Sequence, residues 1–597
     1  MVHRIAALEM DSCNSKKCGL ECIKFCPVNK EDSDCIILGD NGKAIISESL
    51  CTGCGICIQK CPFDAITILN LAEELLDKRM HQYGINTFRL YNLPTLRRGS
   101  VIGLVGRNGV GKSTALNILS GNLKPNFGNY SSPPDWDEII DYFKGTEYKD
   151  HFSKISSNTL RVSVKPQAVY SLSNVWKGDT FSLLKHYDER NILDSLIQDL
   201  DLEQSLKRQV SELSGGELQR VAVAVSASRD ADLYLFDEPS SYNDIYQRLN
   251  VSNVIQNLAS DNHSVIIVEH DLTLLDYLSD FVQILYGDQG AYGIISSVQS
   301  SRKGINTLLD GYLPTENVRF RDSPISFAIY APIGDESDSV ELLSYSNISK
   351  SYPGFSLSAN SGSIRKGEVI GILGANALGK TTFLKIIAGV EKSDSGQVSK
   401  NSSISYKPQY LSSNNETYVE DLFYEIQEGI MTDEYRSNIF EPMKIQKLYP
   451  RKISELSGGE LQKIAVAVCL SQDAEIYVMD EPSAFLDIED RMSLAKAIQQ
   501  YIRLVSKSAL IIDHDIQLID VVSDSLIIFE GSPGIQGSTT KVLSKEDGMN
   551  RFLKQLDITY RRDLESGRPR VNKHNSHSDR LQKESNSYYY LSSNISD

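Results

Sequence analysis

No apolar run in this chain approaches the roughly 20 residues needed to cross a membrane, and Met1 to Met10 has no apolar core of signal-peptide length. Both absences predict a cytosolic-type protein with no channel of its own. Positive charge is also short: the formal net charge of −17 argues against non-specific nucleic-acid binding by the whole molecule and leaves only local basic patches. Cysteine all but disappears after the first tenth of the chain, nine of the ten lying between Cys13 and Cys61 and the last at Cys469. Disulfides are not expected in a large chain without a secretory signal, so the cluster reads as metal binding. What is present is length: 597 residues, enough for about three to five domains at roughly 100 to 200 residues each.

The cysteines run Cys13-x4-Cys18-x3-Cys22-x3-Cys26-Pro27 and then Cys51-x2-Cys54-x2-Cys57-x3-Cys61-Pro62. The second run has the spacing of a bacterial ferredoxin, in which the cysteine before proline reaches across to the other cluster. On that logic Cys13, Cys18, Cys22 and Cys61 hold one [4Fe–4S] cluster and Cys26, Cys51, Cys54 and Cys57 hold the second, with Cys35 left over. A pair of structural zinc sites is the alternative, though zinc ribbons usually lack the trailing Cys-Pro. No flavin or haem motif offers electrons a destination. A structural staple or rigid contact module is therefore the preferred role over electron transfer. Phe63 to Leu76 reads as an apolar-rich connector to the rest of the chain.

Val101 to Val105 has the composition of a buried strand and leads into Gly106-Arg107-Asn108-Gly109-Val110-Gly111-Lys112-Ser113-Thr114. This is the phosphate-binding loop: its glycines let backbone N–H groups cradle phosphate, Lys112 reaches the β and γ oxygens, and Ser113 can ligate Mg²⁺. A second apolar strand ends in Asp237-Glu238, placed to hold Mg²⁺ and to activate water. Val265 to Val268 ends before Glu269-His270-Asp271, and His270 is a candidate γ-phosphate contact. Gln167 is a candidate partner of Mg²⁺ and the attacking water. Ser214-Gly215-Gly216 reads as a helix N-terminus that favours an anion.

Every one of these features occurs twice. The second set is Gly374-Ala375-Asn376-Ala377-Leu378-Gly379-Lys380-Thr381-Thr382, Gln409, Ser457-Gly458-Gly459, Asp480-Glu481 and His514. The offsets between copies are 242 positions for the glutamines, 243 for the aspartates and 244 for the histidines, which marks a tandem duplication. The lysines differ by 268, so the first copy carries about 26 further residues before its glutamine, over Pro133 to Phe152. That insertion has helical periodicity and aromatics, and is either surface padding or a partner-binding helical pair. Ala377 replaces the inner glycine Gly109, Asn243 stands where Leu486 does, and His514 follows Asp513 where His270 follows Glu269; these departures predict two unequal sites.

Arg551 to Lys573 is locally basic, and Gly304 to Arg321 carries Tyr312, Arg319, Phe320 and Arg321 in a segment with no copy of the motif residues. They are solvated faces, or surfaces that grip RNA phosphates or brace the cassettes. Ser576 to Asp597 is polar and reads as peripheral.

The repeated motifs resemble those of ATP-binding-cassette ATPases. That resemblance implies that each Ser-Gly-Gly completes the site of the facing cassette: Lys112, Ser113, Gln167, Asp237, Glu238 and His270 with Ser457 to Gly459, and Lys380, Thr381, Gln409, Asp480, Glu481 and His514 with Ser214 to Gly216. With the cysteine spacing, Pro133-Pro134-Asp135-Trp136, Tyr312-Leu313-Pro314-Thr315-Glu316-Asn317 and Arg561-Arg562-Asp563, nearly the whole chain resembles ABC subfamily E, the ribosome-recycling ATPases or RNase L inhibitors.

The resemblance implies an α/β multidomain fold. A small α+β ferredoxin-like domain at 1–75 precedes two P-loop cassettes at 76–300 and 326–540, which face each other. The first cassette carries its insertion at about 131–156, a hinge occupies 301–325, and a second hinge and tail occupy 541–597. It further implies ATP, Mg²⁺ and two [4Fe–4S] clusters as cofactors, Tyr83 and Tyr352 at the adenine rings, and ATP hydrolysis that splits ribosomes after termination or rescue and leads on to initiation. Implied partners are the small ribosomal subunit with its RNA and proteins, a release or rescue factor, and initiation factors. No membrane is involved; the chain is a monomer with its cassettes paired, in the cytoplasm and also the nucleus. A ferredoxin-fused ATPase driving electron transfer and the soluble ATPase subunit of a transporter are the rival readings.

Overall fold

The computed structural model describes residues 2–589 apart from 11, 32, 49, 64, 73–77, 328–339, 400–401, 410–415 and 427–432. The border expected between 75 and 76, and the last eight residues of the expected tail, lie outside the described residues. Two compact units result. One comprises Met1–Ser241, Asn250–His270 and Leu278–Pro324; the other comprises Tyr242–Leu249, Asp271–Tyr277 and Ile325–Asp597.

In the first unit, the cysteine-rich segment is closed by its own ends. Val2–Leu8 pairs antiparallel with Ile66–Ala72, Leu8 opposite Ile66. Residues 66–72 of the stretch read as a connector are therefore a strand of the small domain, paired with its other end. Ile36–Leu38 pairs with Ala44–Ile46, and three short helices, Glu21–Lys24, Pro27–Lys30 and Ile56–Lys60, carry cysteines at or beside their ends. The domain is small, so its core is short of carbon: Leu8, Ile36, Ile46 and Ile66 pack with the side chains of Cys26, Cys35 and Cys57.

One residue clamps this domain to the first cassette. Asn86, fully buried and left-handed at φ +53°, donates its amide to the Ile46 carbonyl and accepts from the Ile46 N–H, both at 2.8 Å. Its own carbonyl accepts from Leu8 N–H at 3.2 Å. The edge of a two-stranded ribbon is thus capped by a side-chain amide that imitates a neighbouring strand.

In the cassette itself, Val162–Lys165, Leu233–Asp237 and Ser264–Val268 form parallel strands, and Ser100–Gly106 runs parallel to Phe281–Tyr286. Burial on both faces explains why Ser100–Gly106, Leu233–Asp237, Ser264–Val268 and Phe281–Tyr286 read as largely apolar runs. The insertion forms two helices, Trp136–Tyr142 and Tyr148–Ser156. Asp135 and Glu138 close a capping box on the first, and Ile139, Phe143 and Phe152 turn inward onto the cassette core. The outer face is left to solvent.

The second unit repeats the plan with the order 404–407, 476–480, 508–512, 369–373 and 525–532 in its parallel part. Parallel strands deliver their carboxyl ends to one rim, where ligands of such sheets bind.

Three arginines of the basic C-terminal run are paired inside the fold, while Arg551, Lys554, Arg561 and Lys573 stay exposed. Arg562 pairs with Asp520 at 2.9 Å, Arg570 with Asp276 at 2.6 Å and Arg568, fully buried, with the same Asp276 at 3.3 Å; Arg551 is held by Glu530. The tail is not peripheral as far as it is described: His577–Glu584 is a helix capped by Ser576, and Tyr588 and Tyr589 are buried, the latter with its hydroxyl on Asp520.

Candidate functional site

In each cassette the phosphate loop leaves a buried strand and enters a helix, Lys112–Leu119 in one and Lys380–Ile387 in the other. Gly111 and Gly379 sit at φ +97° and +88° immediately before them, so the first-turn N–H groups face the loop and favour an anion. Lys112 Nζ donates to the carbonyls of Gly106 and Arg107 at 2.8 and 2.7 Å. Lys380 does the same to Gly374 and Ala375 at 2.8 and 2.7 Å. Burial lowers the Lys380 ammonium to about 8 despite Asp244, Glu481 and Asp480 nearby. A phosphate is the anion that would restore its charge.

The inner glycine position differs as expected. Gly109 has φ +73° and Ala377 keeps the same left-handed turn at φ +57°, a conformation an L-residue with a Cβ adopts at a cost.

Asp237 accepts from the Ser113 hydroxyl at 3.3 Å. Burial, with Glu238 adjacent, pushes the Asp237 carboxyl up, and Asp480, facing Thr381, is raised by burial in the same way. A buried carboxylate beside a hydroxyl is a hard-oxygen pair that fits Mg²⁺, whose charge would reverse the shift.

The next residue carries the strain. Glu238 and Glu481 have φ +47° and +48°, off the end of the strand, and each is held from below. Lys165 Nζ donates to the carbonyls of Asp237 and Glu238 at 2.7 and 3.0 Å, and Lys407 to those of Asp480 and Glu481 at 2.7 and 3.0 Å. Gln219 adds its amide at the Glu238 carbonyl. The sequence reading missed these lysines. The available signal was their position two residues before each glutamine, at the end of a short strand. Burial lowers both ammonium groups to about 8 even though acids surround them. Strain sustained by such surroundings is characteristic of functional sites.

The bend brings each glutamate to its expected partners. Gln167 donates to Glu238 Oε1 at 2.7 Å and Gln409 to Glu481 Oε1 at 2.6 Å. His270 Nε2 lies 3.7 Å from Glu238 Oε1, and His514 Nε2 lies 3.1 Å from Glu481 Oε1. Burial alone would raise Glu481, but the hydrogen bond and charge of His514, then Lys380 and Gln409, outweigh it and bring the carboxyl down to about 2. Each constellation suits activation of a water beside a phosphate.

Ser214 and Ser457 cap the helices Gly215–Ser228 and Gly458–Leu470, each closing a capping box with Glu217 or Glu460. Those glutamates are fixed by Arg208 and Arg451, both at 2.7 Å. Within the second unit, Asp244 accepts from the backbone N–H of Asn376 in the phosphate loop at 2.8 Å. Tyr83 and Tyr352 are 53% and 39% exposed rather than core residues; the Tyr83 hydroxyl is 3.2 Å from that of Thr114.

Among the described residues no three His, Cys, Asp or Glu side chains gather tightly enough for a single metal ion. The thiols stand instead around two hollows, one lined by Cys13, Cys18, Cys22 and Cys61, the other by Cys26, Cys51, Cys54, Cys57 and also Cys35. Thiol-rich linings of this kind fit an iron–sulfur cube, whose ligands are spread around a cluster. No described helix is long and apolar enough to cross a membrane.

Comparison with known proteins agrees with this geometry. The ABC transporter family model matches residues 93–241 and 357–484, the 4Fe-4S binding domain model matches 44–67, and the "Possible Fer4-like domain in RNase L inhibitor, RLI" matches 3–33. ABC transporter E family member 1 of Arabidopsis thaliana is 43% identical over 98% of this chain and 99% of its own length. A solved structure described as "Model of ribosome-bound archaeal Pelota and ABCE1" superposes with a TM-score of 0.93 at 46% identity, over 99% of this chain and 100% of that one. The archaeal ribosome recycling factor aABCE1, in complex with ribosomal stalk protein aP1, superposes with a TM-score of 0.82 at 45% identity, over 87% and 100%. The chain binds ATP with Mg²⁺ and a 4Fe-4S centre. With both nucleotide sites and the cysteine-rich domain intact and the match running end to end, the chain belongs to ABC subfamily E, the RNase L inhibitor family of ATPases.

Proposed function

We propose that this protein is an ATP-driven ribosome recycling factor that splits ribosomes after termination or rescue and remains on the small subunit into initiation. One observation carries the reading: the likeness to a ribosome-bound relative spans 99% of the chain, cysteine-rich domain included, whereas a transporter subunit or redox ATPase needs only part of it. Partners are small-subunit RNA and proteins, a release or rescue factor and initiation factors, and the place of action is the cytoplasm and also the nucleus. The chain acts as a monomer.

Each nucleotide is shared between cassettes. Lys112, Ser113, Gln167, Asp237, Glu238 and His270 work with Ser457 to Gly459, and the Lys380 site works with Ser214 to Gly216. Glu238 and Glu481 activate water, His270 and His514 sense the γ-phosphate, and Tyr83 and Tyr352, exposed beside their phosphate loops, stack on adenine. Domains run 1–75, 76–300, 326–540, with hinges at 301–325 and from 541 on. Two [4Fe–4S] clusters occupy the two hollows, Cys13, Cys18, Cys22 and Cys61 holding one and Cys26, Cys51, Cys54 and Cys57 the other.

Sucrose-gradient sedimentation with a non-hydrolysable ATP analogue tests the function. Co-migration with small subunits is expected; its absence, with the protein instead in a membrane fraction or turning over ATP only on cluster reduction, refutes it.

A further inference from the structure

The two thiol-lined hollows are not equivalent. The first presents four cysteines, as a cubane requires; the second presents five. The additional one is Cys35, 1% exposed, immediately before the strand Ile36–Leu38. A buried cysteine is often only a small apolar side chain, as Cys469 is in the second unit, buried with its sulfur against the Ser405 hydroxyl. Cys35 differs in placement. Its thiol lines the same hollow as those of Cys26 and Cys51 and interacts with both, two of the four assigned ligands.

The backbone holds it there from both sides. Cys35 N–H donates to the Ser33 carbonyl at 2.8 Å and its own carbonyl accepts from Ser47 N–H at 2.7 Å. Asn29 fixes the next residue by exchanging hydrogen bonds with both backbone groups of Ile36, at 2.7 and 2.8 Å. A backbone so fixed has little freedom left to lose when its sulfur binds, which favours an effective ligand.

We propose that Cys35 is a reserve ligand of the second iron–sulfur cluster, taking the iron corner of Cys26 or of Cys51 when either bond opens. This rests on the two-cluster reading above. The exchange is balanced without an oxidant or reductant: the iron–sulfur bond to Cys26 breaks, one to Cys35 forms, and the proton of the Cys35 thiol passes to the departing Cys26 sulfur. Iron valence and cluster charge do not change. Cys26 and Cys51 are the thiols that interact most strongly with Cys35, so theirs are the corners it covers.

The test uses the full chain, reconstituted anaerobically, with iron and acid-labile sulfide content and electron paramagnetic resonance as readouts. Wild type and Cys35→Ala should each hold about eight irons, as two four-iron clusters require. Cys26→Ala and Cys51→Ala should keep about eight, with an altered signal from the reduced second cluster. The double variants Cys26→Ala/Cys35→Ala and Cys51→Ala/Cys35→Ala, and the single Cys54→Ala, should lose at least one iron. Indistinguishable iron content and spectra in each single variant and its double would overturn the proposal. Should the variants fold poorly, air bleaching of otherwise native Cys35→Ala decides: several-fold faster loss of the second cluster than in wild type is expected, and an equal rate overturns it. About four irons in wild type would refute the two-cluster reading instead, a separate result.

Discussion

His514 Nε2 stands 3.1 Å from Glu481 Oε1, whereas His270 keeps 3.7 Å from Glu238. Only the second cassette joins histidine and glutamate at hydrogen-bonding distance. The preceding residue contributes to the difference: Glu269 is long enough to accept from Ser240 Oγ at 2.8 Å, while the shorter Asp513 is met by the backbone N–H groups of Ser483 and Asp515.

Glu238→Gln and Glu481→Gln should each leave ATP binding intact, lower turnover at the altered site by about a hundredfold or more and trap the closed, ribosome-associated state. Single-turnover hydrolysis and nucleotide retention measure both effects. Unchanged turnover and ribosome association in both variants would remove these carboxylates from their role.

In a Glu238→Gln background the remaining turnover reports the second site. With His514 and Lys380 holding Glu481 near 2, the acid limb of that profile should lie well below neutrality. Replacing His514 by alanine leaves burial opposed by less, so the limb should move to higher pH. A limb that stays in place would show that another group sets it.

Lys407→Met should destabilise the chain by about 1 to 3 kcal/mol at neutral pH, since two buried carbonyls lose their donor. The sign with pH is opposite to that of a salt bridge. The native ammonium titrates at about 8, below the roughly 10.4 of an unfolded lysine, so the unfolded chain binds more protons in between and wild-type stability gains an increment as pH rises through that window. Thermal melts from pH 7 to 10 should show a smaller rise in the variant.

Ala377→Gly should stabilise the second phosphate loop by about 1 kcal/mol by relieving its left-handed turn. Gly109→Ala should do the reverse, its Cβ meeting Gln289 Cγ at 2.6 Å. Hydrogen exchange in each loop reads the two effects.

Asn86→Ala should cost about 1 to 3 kcal/mol, leaving the Ile46 N–H and carbonyl without partners. Faster exchange of the Ile46 amide, with the cassette amides unchanged, is the expected pattern.

The nucleotide residues were legible as strings because each lies at a strand end that the parallel order brings to one rim; local spacing sufficed. What needed the structure was pairing over distance. Ile66–Ala72 looked like a connector because its partner, Val2–Leu8, is some sixty residues away. Arg562, Arg568 and Arg570 looked like a basic surface because Asp520 and Asp276 are far off in sequence. Lys165 and Lys407 looked ordinary, since a lysine buried for the sake of two carbonyls has no compositional mark. Cys35 was visible as a leftover, but only folding puts its thiol against Cys26 and Cys51.

The left-handed glutamate has a history as well as a chemistry. Glu238 and Glu481 share the turn to within a degree, with an equivalent lysine and glutamine beside each, at separations that differ by a single residue. A trait common to both halves was present in the single ancestral cassette, so the strained acid predates the duplication, while Ala377, Asn243 and the helical insertion record what the halves did once they could diverge.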